Sequence, residues 1–406
     1  MDLSRRILLA DADAFYVAVA RLVDPEGAGR ARLLIVGGSA ERRGVVTSAS
    51  YEARAYGVHS AMPMARAVRL CPGATVAPVP WEACAEKSAQ IRNALRCFTP
   101  AVEQASSDEF YLDLTGTEKL YRGELVAATA QRMRDAVKRA TSLSVSIGGG
   151  TSKLVAKLAA GVAKPGPRSG DAASGVHVVA PGEEPEFMLR FALADIPGVG
   201  PKCQERLAQR GLRTVRDVVE HELPTLVAWL GEREGKWLYE RARGIDHSPV
   251  DSDREAKSVS RDETFPADVD DDAGLAARLL ALADRATADL RDAGLRARTV
   301  TVKLRDADFT TRQASRTLAE PVQSDRAVYA VARQLLTRLR AARRVPARLL
   351  GVALSQLGAT DATGQLSLLQ PPAGGVETER DRTISRVIDE VREKFGPDAL
   401  GRGGAR

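Results

Sequence analysis

Acidic residues stand at two points where an apolar run is interrupted, and their types and spacing could bind divalent cations. Asp11 ends the run Ile7 to Ala10 and a helical pattern begins at Ala14, which predicts a strand-to-helix turn at Asp11. Asp108 and Glu109 are adjacent, so they can act together only from a turn or bulge. Carboxylates brought together from two such segments suit a pair of hard cations, which would assist phosphoryl transfer.

The same residues also have ordinary structural interpretations. Asp13 immediately precedes the helical pattern, which favours a role as helix N-cap over one as metal ligand. Acidic pairs in turns, such as Asp108 and Glu109, are usually solvated. The backbone amides of Phe15 and Tyr16 would be unpaired at the helix start, where a phosphate group is electrostatically favoured. Spacing alone therefore leaves a metal site and an ordinary acidic turn as alternatives.

The elements that must position these residues follow from the apolar pattern. Strand-like runs alternate with helical patterns between about residues 7 and 164, which predicts a mixed α/β domain. The predicted strands are Ile7 to Ala10, Leu33 to Val36, Phe110 to Leu114 and Ser142 to Ile147. Residues 176–240 are mostly helical, and the charged stretch 246–257 is predicted to be a connector that does not bury itself.

A second α+β pattern covers residues 258–357, and a tail follows it. The tail contains a helical segment that ends before Gly396, with its apolar residues on one face. These residues are Ile384, Val387, Val391 and Phe395.

Length and composition exclude several classes of protein. A chain of 406 residues should hold about two to four domains. No apolar run approaches the length of a membrane span and the N-terminus lacks a signal-peptide core, so we expect a cytoplasmic protein. Four isolated cysteines and four histidines indicate neither a disulfide framework nor a zinc finger. The net charge of +6 is compatible with a polyanionic partner.

Several motifs, taken in order, resemble those of Y-family translesion DNA polymerases, in particular the bacterial DNA polymerase IV class. They are DADAFYVAV (11–19), VVTSASYEARAYGVHSAMP (45–63), SSDEFYLDLTG (106–116), SVSIGGGTSKLVAKLAAGVAKP (144–165), DIPGVG (195–200) and ARGID (242–246). The resemblance covers residues from about 7 to 357.

The resemblance implies an α+β multidomain fold shaped like a right hand. Its parts would be a ferredoxin-like palm, small fingers, a helical thumb with a helix-hairpin-helix, and an α+β little finger. The implied boundaries are palm 1–16 and 79–168, fingers 17–78, thumb 169–240, linker 241–257, little finger 258–357 and a tail 358–406.

The resemblance also assigns roles within the active site. Asp11, Asp108 and Glu109 would be the catalytic metal ligands, with the Ala12 carbonyl as a further ligand, for two Mg²⁺ ions or alternatively Mn²⁺. The incoming nucleotide would contact Phe15, Tyr16, Ser48, Tyr51, Arg54 and Lys164. Arg54 offers a planar fork and Lys164 a point charge for phosphate oxygens. Tyr16 would be the steric gate that leaves no room for a 2′-hydroxyl.

The sequence departs from the family's pattern at several positions, which leaves the finer fit of the pocket open. These are Ala20, Ser107, Phe110, Ser152 and Ser260, where the family often has an acid, a large aliphatic, a small residue, Asn and Gly respectively.

Three further segments suggest contacts with DNA. The turn IPGVG resembles a helix-hairpin-helix, which implies backbone contacts to phosphate through Gly198 and Gly200, with Lys202 beside them. Alternation from Thr299 to Arg305 places Lys303 and Arg305 on a polar face, opposite Val300, Val302 and Leu304. Arg312 and Arg316 are interpreted as extending that basic face. Lys153 and Lys157 share an outer helix face opposite Leu154, Leu158 and Val162, and such a lysine pair is usually only solvated.

An apolar pentapeptide lies between flexible segments of the tail. It is Gln365, Leu366, Ser367, Leu368 and Leu369. Its leucines have little local core to join, so it suits a groove on a partner. It resembles the pentapeptide by which bacterial polymerases bind the sliding clamp (beta subunit).

The sequence therefore predicts a template-directed, low-fidelity DNA polymerase that joins a dNTP to a primer 3′-hydroxyl in translesion synthesis. No segment remains for a proofreading nuclease. The expected partners are primer–template DNA, dNTP and the clamp, for a monomer in the nucleoid-containing cytoplasm without membrane attachment. The alternatives are a catalytically silent adaptor of clamp and DNA, and a two-metal nuclease.

Overall fold

The computed structural model describes residues 5–165, 174–253, 255–359, 376–396 and 399–401. The chain divides into two units, the first formed by Met1–Ala40 and Gly44–Arg254 and the second by Glu41–Arg43 and Glu255–Arg406. Within the described ranges, no helix has the length and apolar character needed to cross a bilayer.

The strands, in chain order, are β1 Ile7–Ala12, β2 Leu34–Gly37, β3 Val46–Ala49, β4 Thr75–Ala77, β5 Val102–Gln104, β6 Glu109–Asp113, β7 Val145–Gly150, β8 Val176–Val178, β9 Ser258–Val269, β10 Leu295–Asp306, β11 Thr311–Val322 and β12 Ala347–Ala359.

The helices are α1 Phe15–Val23, α2 Tyr51–Arg54, α3 Met64–Leu70, α4 Trp81–Arg96, α5 Val126–Thr141, α6 Lys153–Ala163, α7 Glu184–Met188, α8 Pro201–Ala208, α9 Val215–Val219, α10 Leu223–Leu230, α11 Glu232–Ala242, α12 Asp272–Asp292, α13 Asp325–Ala342 and α14 Glu379–Phe395. Short 3₁₀ helices cover Ala40–Arg42 and Leu193–Asp195.

The first unit is built around a sheet with strand order β5-β6-β1-β7-β8. Strand β1 is antiparallel to both of its neighbours, and all six of its residues are buried. The order β5-β6-β1-β7 is that of a ferredoxin-like βαββαβ unit, with α4 and α5 as the crossovers and β8 added in parallel at the edge. The predicted ferredoxin-like sheet is confirmed.

One predicted strand is displaced along the sequence. The run from Ser142 to Ile147 was expected to be extended, but β7 covers Val145–Gly150. Ser142 instead ends α5 in the left-handed conformation, with φ of 62°. The strand therefore includes three consecutive glycines that the apolar pattern did not mark as extended.

Two smaller parts complete the first unit. A sheet of order β3-β2-β4 packs against α2 and α3 around buried side chains such as Ile35, Val46 and Met64. Helices α7 to α11, together with one face of α6, enclose a second core that includes Phe187, Leu226 and Leu238.

The stretch after α11 corrects one prediction. Asp246 was placed in a connector that does not bury itself, yet its side chain is only 5% exposed and pairs with Arg241 at 2.7 Å. Its Oδ2 also accepts a hydrogen bond from the Leu154 amide, and its carbonyl accepts one from Arg5. The charge of Asp246 is therefore compensated by specific partners, which the sequence pattern did not reveal.

The second unit is an antiparallel sheet of order β11-β10-β12-β9 with two crossover helices on one face. Alternation along β10 places Val300, Val302 and Leu304 in one large core with apolar residues of α12 and α13. Asp271 caps α12 by accepting from the amides of Ala273 and Gly274.

Helix α14 forms as predicted and ends at Gly396. Its polar face, rather than its apolar face, makes the contacts with the rest of the second unit. Asp389 pairs with Arg291 at 2.6 Å and Arg392 pairs with Asp284 at 2.8 Å. The apolar face is largely exposed, with Phe395 at 68%. Ion pairs rather than apolar burial hold this helix on its unit.

Candidate active site

Two of the three predicted metal ligands lie directly opposite each other. Asp11 on β1 and Glu109 on β6 are paired residues of neighbouring antiparallel strands, so their side chains project from the same face of the sheet. Asp108 occupies the bend just before β6, and its carbonyl accepts a hydrogen bond from the Ala12 amide at 3.0 Å. The fold therefore brings Asp11, Ala12, Asp108 and Glu109 to one end of the sheet.

Burial and the neighbouring charges both shift the pKa of Asp11. Burial raises the pKa of this carboxyl from 3.8 to about 6, and the nearby charges of Glu109 and Asp108 add to the rise, although Lys164 lowers it. Lys164 Nζ lies 2.7 Å from Asp11 Oδ1. Glu109 is likewise paired, with Lys157 Nζ at 2.6 Å. Each carboxylate thus faces one lysine ammonium.

The donor set fits a divalent cation. The carboxylates of Asp11 and Glu109 project from the same face of the sheet, and carboxylate oxygens are the ligands that hard divalent cations prefer. As placed here, no three or more His, Cys, Asp or Glu side chains of the described ranges form a group that could hold a metal ion. Ligation by all three carboxylates remains a prediction.

Asp13 has a different role from the expected helix cap. The N-cap of α1 is Ala14, in the left-handed conformation with φ of 45°, and no side chain caps the helix. Asp13 instead accepts a hydrogen bond from the Ser146 hydroxyl of β7 at 2.8 Å. The N-cap interpretation of Asp13 is wrong because this non-local partner takes its carboxylate.

A close contact between β7 and α6 positions the two active-site lysines. A Cβ on Gly148 would lie 2.0 Å from the Ala160 nitrogen, so only glycine lets α6 approach the sheet this closely. Lys157 on α6, and Lys164 just after it, thereby reach Glu109 and Asp11.

The expectation that Lys153 and Lys157 are merely solvated is wrong. Lys153 donates to both carboxylate oxygens of Glu103, at 2.7 and 2.6 Å. Its side chain is 16% exposed. On the opposite helix face Leu154 and Leu158 are buried as expected, whereas Val162 is 40% exposed. The acidic partners of the two lysines, Glu103 and Glu109, lie on strands β5 and β6. The spacing of the lysines along the helix could not identify these partners.

Ser48, Tyr51 and Arg54 come together as predicted. Arg54 Nε donates to the Ala49 carbonyl, and its guanidinium lies 5.1 Å from the centre of the Tyr51 ring. Tyr51 Oη is buried, and the described residues give it no hydrogen-bond partner. Burial raises the pKa of Tyr51 to about 12, and the charges of Asp13 and Asp11 contribute. The hydroxyl is therefore a neutral donor near the carboxylates.

Tyr16 lies in the first turn of α1 and is partly buried, whereas the preceding Phe15 is 2% exposed. The two rings meet edge to face, with centroids 5.2 Å apart. Phe15 is thus a core residue that can offer a nucleotide only its backbone amide, as the helix start predicted. Sequence reasoning missed Trp81, whose ring contacts Tyr16 from the start of α4.

The glycine turn of the helical part is accessible. Gly198 has φ of 99°, a left-handed conformation that favours glycine, and both Gly198 and Gly200 are exposed. Helix α8 follows immediately with Pro201 in its first turn, and Lys202 is exposed on that turn. The backbone of this turn and the Lys202 ammonium are therefore accessible to a partner such as a phosphate group.

In the second unit, the predicted alternation of β10 is confirmed. Lys303 and Arg305 share the face opposite Val302 and Leu304, which are fully buried. Lys303 pairs with Asp262 of β9, and Arg305 donates to the Thr311 hydroxyl. This face carries two basic groups, but one of them already has an acidic partner.

Arg312 and Arg316 do not extend this face, contrary to the prediction. Arg312 is paired with Leu304 in the strand register, and Arg316 with Val300, so both lie on the helix-covered side of the sheet. Arg312 binds both carboxylate oxygens of Asp306, while Arg316 donates to Gln334 of α13. Even spacing along β11 correctly predicts that Arg312 and Arg316 share a face. It does not reveal whether that face is the one that the helices cover.

The positions that depart from the family pattern have structural roles or are exposed. Phe110 is fully buried in the core beneath the sheet, and Ala20 is also buried. Ser152 caps α6 by accepting from the Val155 amide and donates to the Gly244 carbonyl. Ser107 lies in the bend before β6, and Ser260 is exposed on β9. The predicted clamp motif 365–369 lies outside the described residues.

Most of the chain matches models of known domain families. Residues 10–161 match the model described as impB/mucB/samB family, and 256–368 match its C-terminal domain. Residues 194–246 match a model described as DNA polymerase-iota, thumb domain.

Individual relatives and structures agree with these matches. The chain is 35% identical to DNA polymerase IV of Dehalococcoides mccartyi over 97% of its own length and 95% of the relative's. It is 36% identical to DNA polymerase IV of Staphylococcus epidermidis, over 88% of its own length and 96% of the relative's. A solved Y-family DNA polymerase chimera of Dbh and Dpo4 is 25% identical with a TM-score of 0.75, covering 86% of this chain and 98% of that one. An insertion ternary complex of Dbh DNA polymerase gives a TM-score of 0.60 at 25% identity, with the same coverage of both chains.

Proposed function

The chain belongs to the Y-family DNA polymerases matched by the impB/mucB/samB models, and from this premise we propose how its own residues carry out the reaction. It is a DNA-directed DNA polymerase of the low-fidelity, translesion type, which binds DNA and dNTP and depends on divalent metal ions. The observation that carries the assignment of its active site is the direct cross-strand pairing of Asp11 with Glu109, beside Asp108.

We propose that Asp11, Asp108, Glu109 and the Ala12 carbonyl hold two Mg²⁺ ions, with Mn²⁺ as an alternative. When bound, such ions stabilise charge on the attacking and leaving oxygens of nucleotidyl transfer. Lys157 and Lys164 form ion pairs with Glu109 and Asp11 respectively. Asp11 itself is buried, which strengthens its electrostatic interaction with a bound cation.

The incoming triphosphate is proposed to lie between the start of α1 and α2. Arg54 offers a guanidinium fork, Lys164 an ammonium and Tyr51 a hydroxyl that the described residues leave without a hydrogen-bond partner. The amides of Phe15 and Tyr16 lie at a helix start, which favours anions, and Ser48 lies beside Arg54. Tyr16 would exclude a 2′-hydroxyl.

The test is primer extension with Mg²⁺ and dNTP by the full chain and by Asp108→Ala. We expect extension by the full chain and its loss in the variant, because a metal-binding carboxylate is removed. The matched control is Glu26→Ala, since the Glu26 side chain is 76% exposed and lies beyond the end of α1. Strand cleavage without extension would favour a nuclease, and DNA binding without either reaction would favour a silent adaptor.

The remaining assignments are proposals of the same kind. DNA is proposed to contact Gly198, Gly200 and Lys202 in a thumb, and Lys303 and Arg305 in a little finger. The boundaries proposed for the parts are palm 1–16 and 79–168, fingers 17–78, thumb 169–240, linker 241–257, little finger 258–357 and tail 358–406. We also propose a monomer that acts on DNA of the nucleoid in the cytoplasm.

Residues Gln365, Leu366, Ser367, Leu368 and Leu369 are proposed to bind a sliding clamp as an extended apolar segment. Replacing Gln365 and Leu368 by alanine should abolish co-migration with the clamp and leave clamp-independent extension unchanged. Gln370→Ala, immediately beyond the motif, is the matched control. Undiminished clamp affinity in the double variant would reject this site.

A further inference from the structure

Trp81 is an exposed aromatic residue next to the proposed steric gate. Its side chain is 65% exposed, although it begins α4, whose buried face consists of Cys84, Ser88, Ile91 and Leu95. The Trp81 ring meets Tyr16 edge to face, with centroids 6.1 Å apart and planes at 75°. Burial on its own helix therefore does not explain this tryptophan, whereas contact with Tyr16 gives it a role.

Tyr16 also contacts a second ring, which belongs to the core. Phe15 meets the Tyr16 ring at 5.2 Å and 75° and is itself 2% exposed. Tyr16 and Val79 are partly buried against two separate apolar clusters, one beneath the large sheet and one beside β2. The Tyr16 ring thus has buried neighbours in the core and also contacts the exposed Trp81.

We propose that Trp81 is a positioning residue that fixes the tilt of the Tyr16 ring and thereby sets how strongly ribonucleotides are excluded. The inference rests on the proposed function, in which Tyr16 is the steric gate. A ring excludes a 2′-hydroxyl only if it cannot turn aside when the larger sugar enters. Edge-to-face packing favours one relative orientation of two rings, so Trp81 resists that turn.

The exposure of Trp81 makes the inference testable without disturbing the core. Truncating it opens no buried cavity, so Trp81→Ala should fold and extend primers with dNTP. Trp81→Phe keeps an aromatic edge against Tyr16 and should retain most of the exclusion. Leu125→Ala, which removes a side chain 77% exposed at the start of α5, is the matched control for loss of an exposed apolar residue.

The experiment measures kcat/KM for a dNTP and for the corresponding rNTP in primer extension with Mg²⁺. We expect Trp81→Ala to raise the rNTP value relative to the dNTP value by about two- to tenfold, the factor that corresponds to one aromatic pair. The dNTP value should change little, and Leu125→Ala should match the unmodified chain.

A double-variant series separates positioning from direct contact with the nucleotide. In a Tyr16→Ala background, Trp81→Ala should have no further effect on the rNTP/dNTP ratio, because its action passes through Tyr16. An unchanged ratio in Trp81→Ala alone, or an effect that persists without Tyr16, would overturn the inference. Failure of the unmodified chain to extend with dNTP would instead overturn the proposed function.

Discussion

At the scale of single residues, Asp11 combines burial with negative charge at a cost to the folded protein. Its pKa of about 6 lies above the ordinary 3.8, so the folded state favours the protonated form. Ionising Asp11 therefore destabilises the protein, and this loss develops as the pH rises from about 4 through about 6. At neutral pH the cost is on the order of 3 kcal/mol.

We predict that Asp11→Asn raises the melting temperature of the metal-free protein at pH 7.5, because the asparagine carries no charge to bury. Below pH 4, where Asp11 is protonated, the difference should vanish. Thermal unfolding in the presence of a chelator at both pH values measures this. Adding Mg²⁺ should stabilise the unmodified chain more than the variant, and equal stabilisation would contradict a metal site at Asp11.

Tyr51 is a second polar residue with a buried side-chain oxygen, and unlike Asp11 it has no hydrogen-bond partner among the described residues. Because the described residues supply no partner for its Oη, removing the hydroxyl loses no internal hydrogen bond. We predict that Tyr51→Phe leaves the stability of the free protein unchanged or slightly higher, yet raises KM for dNTP by about tenfold, as expected for one hydrogen bond to a charged group.

Steady-state primer extension and thermal unfolding of the same preparations test this prediction. Because the bond would form with both bound substrate and transition state, kcat should change little. Tyr56→Phe removes a hydroxyl from a 54% exposed tyrosine in the same segment and is the matched control. A loss of stability with unchanged KM would show that the hydroxyl is structural.

At the scale of elements, the sheet of the second unit has one helix-covered face and one open face. Lys303 and Arg305 lie on the open face and Arg316 on the covered one. We predict that Lys303→Ala and Arg305→Ala each weaken DNA binding similarly for all sequences. Each should also reduce the salt dependence, by about one unit in slope for every DNA phosphate that the variant no longer neutralises.

Arg316→Ala is the matched control, because it removes the same charge from the neighbouring strand on the opposite face. Binding of a labelled duplex, measured over a series of salt concentrations, compares the three variants. Asp262→Ala should strengthen binding, since Lys303 would lose its acidic partner. Equal slopes for Arg305→Ala and Arg316→Ala would exclude the open face as the DNA-binding surface.

These elements also show how far the sequence could predict the structure. Alternation fixes the two faces of β10 because the period of a strand is a local property. The face occupied by Arg312 depends on its register with Leu304, which is a contact between strands and leaves no local signal. Asp13 was misread for the same reason, since its partner Ser146 lies on another strand.

Helix α14 illustrates a different limit. Its apolar periodicity predicted the helix and its end, but contact is made through charged side chains such as Asp389 and Arg392. Their partners, Arg291 and Asp284, lie on α12. An amphipathic pattern indicates which residues share a face, whereas the choice of the packed face depends on charge pairs between distant segments.

In the active site, some residues are marked by local sequence features, whereas others are brought in only by contacts between distant segments. The resemblance gave Asp11 and Glu109 correctly as neighbours. Local pattern marked only a strand end and an acidic turn, and Glu109 in fact begins β6. The pairing of Lys157 with Glu109 requires the close contact of α6 with β7 at Gly148, which only the packing of the two elements shows. Trp81 likewise reaches Tyr16 from a distant helix.

At the scale of the whole molecule, the apolar clusters of the described residues are confined to one unit or the other. The large cluster containing Phe265, Val302 and Leu350 belongs wholly to the second unit. Residues 251–253 and 255–258, where one unit gives way to the other, are exposed. Two separately formed cores joined by an exposed segment should unfold in separate transitions.

The distribution of tryptophan allows this to be measured in the intact chain. The protein has three tryptophans, and Trp81, Trp229 and Trp237 all lie in the first unit. Tryptophan fluorescence therefore follows the unfolding of that unit alone, whereas far-ultraviolet circular dichroism follows both. We predict one fluorescence transition and two dichroism transitions.

Nucleotide should then act on only one of these transitions. All residues proposed to bind dNTP and metal belong to the first unit, so dNTP with Mg²⁺ should raise the fluorescence midpoint, with a stabilisation of about 2.7 kcal/mol at a hundred times Kd. The second dichroism transition should stay unchanged, because its core binds neither ligand. A shift of both transitions would show that the units unfold cooperatively, and a shift of only the second would contradict the proposed nucleotide site.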